Sequence, residues 1–215
     1  VQHHGHSLSL KKVFLTCLLI ILVFVGVDAL FIAQGASLTR ESGGLETSSA
    51  VLYLVAAVVF FWATPREAWA RLFHVPALMV LFTLRELDFD KAFTDPGVLS
   101  SRLYTGDAPL STKLIAGAVV LFVIYVALRT ARRGIPAVWH ALRQGQIWPR
   151  FAILAFVFMV TTKNLDGLGR KLAQVGVEVS PGLDVFASKV EEVGEAFIPV
   201  FVILAILSCW KRGDT

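Results

Sequence analysis

Apolar residues occur in long runs along the chain, separated by short segments rich in charge, proline and glycine. A hydrocarbon core about 30 Å thick requires roughly 20 predominantly apolar residues from a helix that crosses it. The pattern therefore predicts six transmembrane helices, over residues 13–34, 49–63, 72–91, 113–129, 150–170 and 187–210. The third and fifth reach this length only if the charged residues at their C-terminal ends lie inside the membrane.

The segment between the fourth and fifth predicted spans has its own amphipathic pattern. Ile135, Trp139 and Leu142 share one helical face, and His140 and Arg143 lie away from it. This pattern predicts a short helix lying in the membrane interface, although an ordinary amphipathic connector fits it equally well. Since no internal repeat or linker is evident, residues 1–215 are predicted to form one integral membrane domain.

Composition supports the membrane class. The chain is 56% hydrophobic and 17% charged, whereas a soluble domain carries about 25% charged residues. A water-soluble globular protein is therefore excluded, and so is a disulfide framework, because the chain has only two cysteines. The predicted fold is an all-α polytopic membrane protein.

The distribution of Lys and Arg predicts the orientation. With the N-terminus inside, eleven Lys and Arg flank the cytoplasmic ends of the spans and seven lie in the opposite loops. This bias predicts a bacterial inner-membrane protein with both termini in the cytoplasm. The net charge of +4 is then a topological signal, and no nucleic-acid partner is expected.

Four predicted helices carry a carboxylate at the same depth. Each lies 15 or 16 residues from a basic residue at the cytoplasmic end of its own helix, which is about 22 to 24 Å along the helix axis. Because burying an isolated charge in a membrane is costly, such groups should face one another or water. The four carboxylates, which the equal depth predicts to share one outward-facing site, are Asp28, Glu86, Asp166 and Glu195.

Further polar residues lie near this level. Glu192 shares a helical face with Glu195, and acids outnumber bases in the group. An excess of carboxylates at low dielectric must bind a cation or retain protons. Alternatively, the bases only neutralise the acids in an ion-pair network that holds the helices together. The added residues are Arg85 and Asp88 on the third helix, Lys163 and Asn164 on the fifth, and Glu192 on the sixth.

An all-oxygen donor set suits Mg²⁺, Mn²⁺ or Ca²⁺. No zinc or haem is expected, because His74 and His140 lie near the other side of the membrane and His3, His4 and His6 belong to the N-terminal tail. The predicted metal ligands are Glu86, Asp166, Glu192, Glu195 and Asp28.

The loop after the third span could complete the site. Arg102 and Tyr104 lie over the membrane surface in this loop and would suit a phosphate headgroup. The alternative is that both residues are interfacial anchors.

Two short motifs resemble those of a group of bacterial multi-pass inner-membrane proteins. Glu41 to Glu46 reads E-S-G-G-L-E, an E-x-G-x-x-E element before one helix, and Arg85 to Asp88 reads R-E-L-D at the end of the next. The group has no assigned activity. The resemblance adds Glu46 to the candidate site and implies no reaction.

These features favour a divalent-cation-dependent hydrolase or transferase that acts on a lipid or lipid-linked headgroup. The lipid bilayer is the expected partner, together with a lipid or small-molecule substrate. A proton- or cation-coupled transporter is one alternative, and a non-catalytic subunit of a membrane complex or homo-oligomer is another. The predicted catalytic residues are Glu86, Asp88, Lys163, Asp166 and Arg85, and the predicted substrate-binding residues are Arg102, Tyr104, Asn164 and Glu46.

Overall fold

The computed structural model describes residues 9–32, 43–89 and 97–210. All regular structure in these residues is helical, which confirms the all-α prediction. The helices are α1 (Leu10–Val27), α2 (Gly44–Ala63), α3 (Arg66–Leu72), α4 (His74–Glu86), α5 (Ser101–Thr105), α6 (Leu110–Arg143), α7 (Trp148–Leu165), α8 (Leu168–Ala173) and α9 (Pro181–Trp210). A π-helical turn, Asp28–Ile32, continues α1.

Four helical segments in the described residues are long and apolar enough to cross a membrane. They are Leu10–Leu30, Gly44–Ala63, Leu110–Arg143 and Pro181–Trp210. The pair α3 and α4 qualifies as a fifth crossing if both helices count as one, although they meet at 61°. The chain is thus a multi-pass membrane protein by helix composition, with four or five candidate spans where the sequence pattern predicted six.

The fifth predicted span is shorter than expected. Its helix, α7, ends at Leu165, so the prediction that it continues to residue 170 is wrong. Gly167 has a left-handed backbone (φ +60°), a conformation that interrupts a right-handed helix. The polar residues at the end of α7 also dilute its apolar stretch, which explains why it is not among the candidate spans.

The third predicted span is a broken helix. It begins at Arg66 and breaks at Phe73, between α3 and α4. Pro76 lies in the first turn of α4, where a missing N–H costs no hydrogen bond. If the helix were continuous, the ring of Pro76 would clash with the carbonyl oxygen of Leu72.

The predicted separate interfacial helix is also wrong. Residues 130–143 continue α6, which runs for 34 residues without interruption. Pro136 lies inside this helix, which continues past it to Arg143.

The core lies along α2 and α9. α9 packs most extensively against α7 and α2, and α2 packs in turn against α4 and α1. Leu52, Ala56, Ile203 and Leu204 are among the most buried side chains. α6 is peripheral, because most of its apolar side chains are exposed, as expected for a surface that faces lipid.

Candidate functional site

Arg85 at the end of α4 lies between two carboxylates from different helices. Its Nη2 is 3.3 Å from Glu195 Oε1 on α9, and its Nη1 is 3.5 Å from Glu86 Oε1. The Glu86 side chain is 4% exposed and that of Glu195 16%, whereas Arg85 is 46% exposed. We call Arg85, Glu86 and Glu195 the Arg85 site. One guanidinium is shared there by two largely buried acids.

Packing between α4 and α2 positions this site. Thr83, one turn before Glu86, is buried, and its Oγ1 lies 3.3 Å from the carbonyl oxygen of Ala50 on α2 and 3.1 Å from that of Met79 on its own helix. Tyr53 is also buried, and its ring lies 5.2 Å from that of Phe82. The charges of all three residues of the Arg85 site act on the Tyr53 phenol, so this residue belongs to its surroundings.

Other charged residues act on the site from a greater distance. Glu46 in the first turn of α2 and Lys163 near the end of α7 both exert a charge effect on Glu86. Glu192 on α9 is affected in turn by Glu46 and Glu195. Charged residues of α2, α4, α7 and α9 thus lie at the same end of the bundle, and the ion pairs of Arg85 join α4 and α9.

This arrangement does not form a metal site in the described part of the chain. Among these residues, no group of three or more His, Cys, Asp or Glu side chains could hold a metal ion. The physical reason is that Arg85 lies between Glu86 and Glu195, where a cation would have to bind. The prediction that Glu86, Asp166, Glu192, Glu195 and Asp28 form a metal-binding group is therefore not supported.

Asp166 pairs with a neighbour on its own helix. Lys163 Nζ donates to Asp166 Oδ2 at 2.8 Å, and this hydrogen bond lowers the pKa of the Asp166 carboxyl below its usual value. The side chains of Lys163 and Asp166 are 51% and 40% exposed. The pair lies at the C-terminal end of α7.

Replacing Asp166 with Asn should lower the free energy of unfolding by less than about 1 kcal/mol, because exposed ion pairs contribute little. The folded-state pKa is lowered, so the contribution is present at neutral pH and is lost as the pH falls through that pKa. Denaturant unfolding of wild type and variant at neutral and acidic pH measures this difference. Asp107→Asn, at an exposed position, is the control and should show no such change. A difference that persists at acidic pH would contradict the assignment.

The two remaining predicted carboxylates lie elsewhere at the same end. Asp28 is 3% exposed and begins the π-helical turn after α1, beside Gly44. Asp88 lies in the turn after α4 with a φ of +47°.

The predicted substrate-binding residues divide into two groups. Glu46 lies near the Arg85 site, whereas Tyr104 donates from its hydroxyl to the carbonyl oxygen of Val98 at 3.0 Å. Asn164 donates from Nδ2 to the carbonyl oxygen of Val160 at 2.7 Å, and Arg102 is exposed on α5. Tyr104 and Asn164 thus stabilise their own segments.

Sequence reasoning did not identify Tyr53 and Thr83. Both lie within apolar runs and have the periodicity of ordinary core residues. Only the packing of α4 on α2 shows that they lie next to the Arg85 site.

An apolar groove of about 540 Å³ opens on another face of α9. Its lining includes Phe14 of α1, Phe158 of α7, and Val193 and Phe197 of α9. Val193 lies two residues from Glu195, or about 200° around the helix. The groove is therefore separate from the Arg85 site.

Comparisons with known proteins add no family: no family model, no curated protein and no solved structure matches the chain.

Proposed function

We propose that the chain is a bacterial inner-membrane protein with six crossings and both termini in the cytoplasm. The bent pair α3 and α4 counts as one crossing, and α7 as another. The extensive packing of α7 along α9 supports this topology. α9 is a candidate membrane span, so a helix that packs along its length lies in the membrane beside it. The excess of Lys and Arg on the cytoplasmic side supports the orientation.

We further propose that the Arg85 site performs acid–base chemistry on the headgroup of a lipid or lipid-linked substrate. The observation that carries this proposal is the sharing of one guanidinium by Glu86 and Glu195. Two ionised carboxylates and one guanidinium leave one negative charge without a counter-charge, and one bound proton neutralises it. The protonated carboxyl can then donate a proton while the other carboxylate accepts one. Hydrolysis or group transfer fits this pair.

Arg85 has a second role in this proposal. Its guanidinium is about half exposed, while the acids behind it are buried, so it is the member of the site that a substrate meets first. A guanidinium binds phosphate or carboxylate oxygens through paired hydrogen bonds and stabilises negative charge that develops there. No resident divalent cation is part of the proposal.

A proton- or cation-coupled transporter is the second candidate, since acids on α2, α4 and α9 interact at one end of the bundle. Between this end and the other, however, the described core consists of apolar side chains, including Leu52, Ala56, Ile203 and Leu204. The buried polar side chains of the described residues lie towards one end or the other: Ser48, Ser49, Thr83 and Thr162 near the Arg85 site, and Thr64 and His74 at the opposite end. The layer favours a one-sided site over a path across the membrane.

Glu195→Gln and Glu86→Gln should each lower headgroup hydrolysis or transfer by about a hundredfold or more, the usual contribution of a general acid or base. The purified protein would be reconstituted into vesicles of phosphatidylethanolamine and phosphatidylglycerol, and lipid products would be measured by mass spectrometry and ³¹P NMR. Glu178→Gln, at an exposed position, is the matched control and should retain activity. A chelator should also leave the activity unchanged.

Unchanged product formation in Glu195→Gln would contradict the enzymatic proposal. The same vesicles, loaded with a pH-sensitive dye, test the transporter. Proton entry that depends on Glu86 and Glu195, without any lipid product, would identify the second candidate instead.

A further inference from the structure

Two arginines of α6 lie at the opposite end of the bundle, where α3 meets α4. Arg129 and Arg133 are one turn apart on α6, and both donate to the carbonyl oxygen of Arg71, at 3.3 and 3.2 Å. In the described part of the chain, neither forms an ion pair with a carboxylate. Two like charges without a counter-charge favour the binding of an anion.

Arg129 is held in a defined orientation. Its guanidinium carbon lies 4.8 Å from the centre of the Phe73 ring, and its Nη1 donates to the Tyr125 hydroxyl at 3.3 Å. Phe73 and Tyr125 also stack on each other, with ring centres 6.2 Å apart. The side chain is therefore fixed by neutral groups on α6 and at the α3–α4 break, and its charge is not neutralised by them.

Two buried nitrogen atoms at this place have no hydrogen-bond partner. One is Nε of Arg129, and the other is Nδ1 of His74, a residue that is 2% exposed and whose ring also interacts with the backbone of Arg71. The His74 ring centre lies 6.3 Å from that of Phe73, the ring that Arg129 covers, so His74 lies near Arg129. Buried polar atoms in proteins almost always have a partner, so unpaired ones indicate a missing acceptor.

The position of the cluster suits a lipid headgroup. The apolar stretch of α6 ends at Leu128, so Arg129 lies at the boundary of the hydrocarbon core. On the membrane side, Leu121, Phe122 and Tyr125 of α6 are 68%, 46% and 48% exposed and provide an apolar surface for acyl chains.

We propose that the phosphate of an anionic phospholipid binds at the α3–α4 break, held by Arg129, Arg133 and His74. The phosphate oxygens accept hydrogen bonds from Arg129 Nε and from Nδ1–H of the neutral His74 ring, which gives both buried atoms a partner. The acyl chains lie along the exposed face of α6. Basic pockets between transmembrane helices are a known type of site for anionic headgroups. This site lies at the other end of the bundle from the Arg85 site and does not depend on the function proposed there.

Binding of phosphatidylglycerol to the full chain in detergent, followed by native mass spectrometry, tests the proposal. The double variant Arg129→Gln with Arg133→Gln should bind phosphatidylglycerol at least about tenfold more weakly than wild type. Arg132→Gln, an exposed position on the same helix, removes one equal charge and should bind as wild type does. Arg129→Lys keeps the charge but removes the Nε donor, and should weaken binding while leaving the fold intact.

Three results would overturn the proposal. One is equal binding of phosphatidylglycerol by wild type and by Arg129→Lys. Another is equal binding of phosphatidylcholine and phosphatidylglycerol by wild type, since the site would then not recognise negative charge. The third is displacement of the lipid by millimolar inorganic phosphate, which would identify free phosphate as the ligand.

Discussion

Replacing Arg85 with methionine should destabilise the protein by about 2 to 3 kcal/mol. Removing one partner of a fully buried ion pair costs roughly 3 to 5 kcal/mol, because the remaining charge has lost its counter-ion in a low dielectric. The smaller value applies here because Arg85 is half exposed, although Glu86 and Glu195 are buried. Methionine fills a similar volume, so the change removes charge more than packing.

The same argument predicts a rescue. Arg85→Met combined with Glu195→Gln should recover a large part of the lost stability, because one unpaired buried charge is then neutral. Thermal unfolding of the purified protein in detergent measures the series, with Arg102→Met on the exposed face of α5 as the control. Additive losses in the double variant would show that Arg85 and Glu195 do not interact, and would remove the basis of the Arg85 site.

Substituting Gly44 with alanine should separate α1 from α2. A Cβ atom at this position would lie 2.6 Å from the Phe24 carbonyl oxygen, and 2.9 Å from both the Phe24 carbonyl carbon and Asp28 Cβ. Two of these are backbone atoms of α1, so a side-chain rotation cannot relieve the clash. We expect a loss of about 1 to 3 kcal/mol, as for overpacked cores, with a value in the upper part of that range.

Gly117→Ala is the matched control. Gly117 lies within α6, and nothing beyond its own helix backbone lies within 4 Å of where a Cβ would be. Alanine should therefore leave stability unchanged or raise it by up to about 1 kcal/mol.

Thiol labelling of the two cysteines measures the packing of α1 directly. Cys17 of α1 is buried and Cys209 exposed, so Gly44→Ala should speed labelling of Cys17 relative to Cys209. An unchanged ratio would show that α1 and α2 do not pack as closely as described.

Part of the candidate site was predictable from spacing along single helices. Arg85, Glu86 and Glu195 were identified because charges at equal depth in apolar helices must meet other polar groups. The same spacing included Asp166, which instead pairs with Lys163 three residues earlier in the chain. Depth along a helix does not determine which face a residue occupies in the assembled bundle, and a local partner was sufficient for Asp166.

The sequence alone determined the helical membrane class, because long apolar runs leave the backbone no other way to satisfy its hydrogen bonds in lipid. It also located most helices, since these depend on local hydrophobicity, proline and glycine. The tertiary structure decided that Arg85 lies between Glu86 and Glu195, that Gly44 contacts α1, and that Arg129 and Arg133 meet the break after Arg71. These contacts join residues as many as 110 positions apart, and they depend on the helix faces and rotations that packing selects.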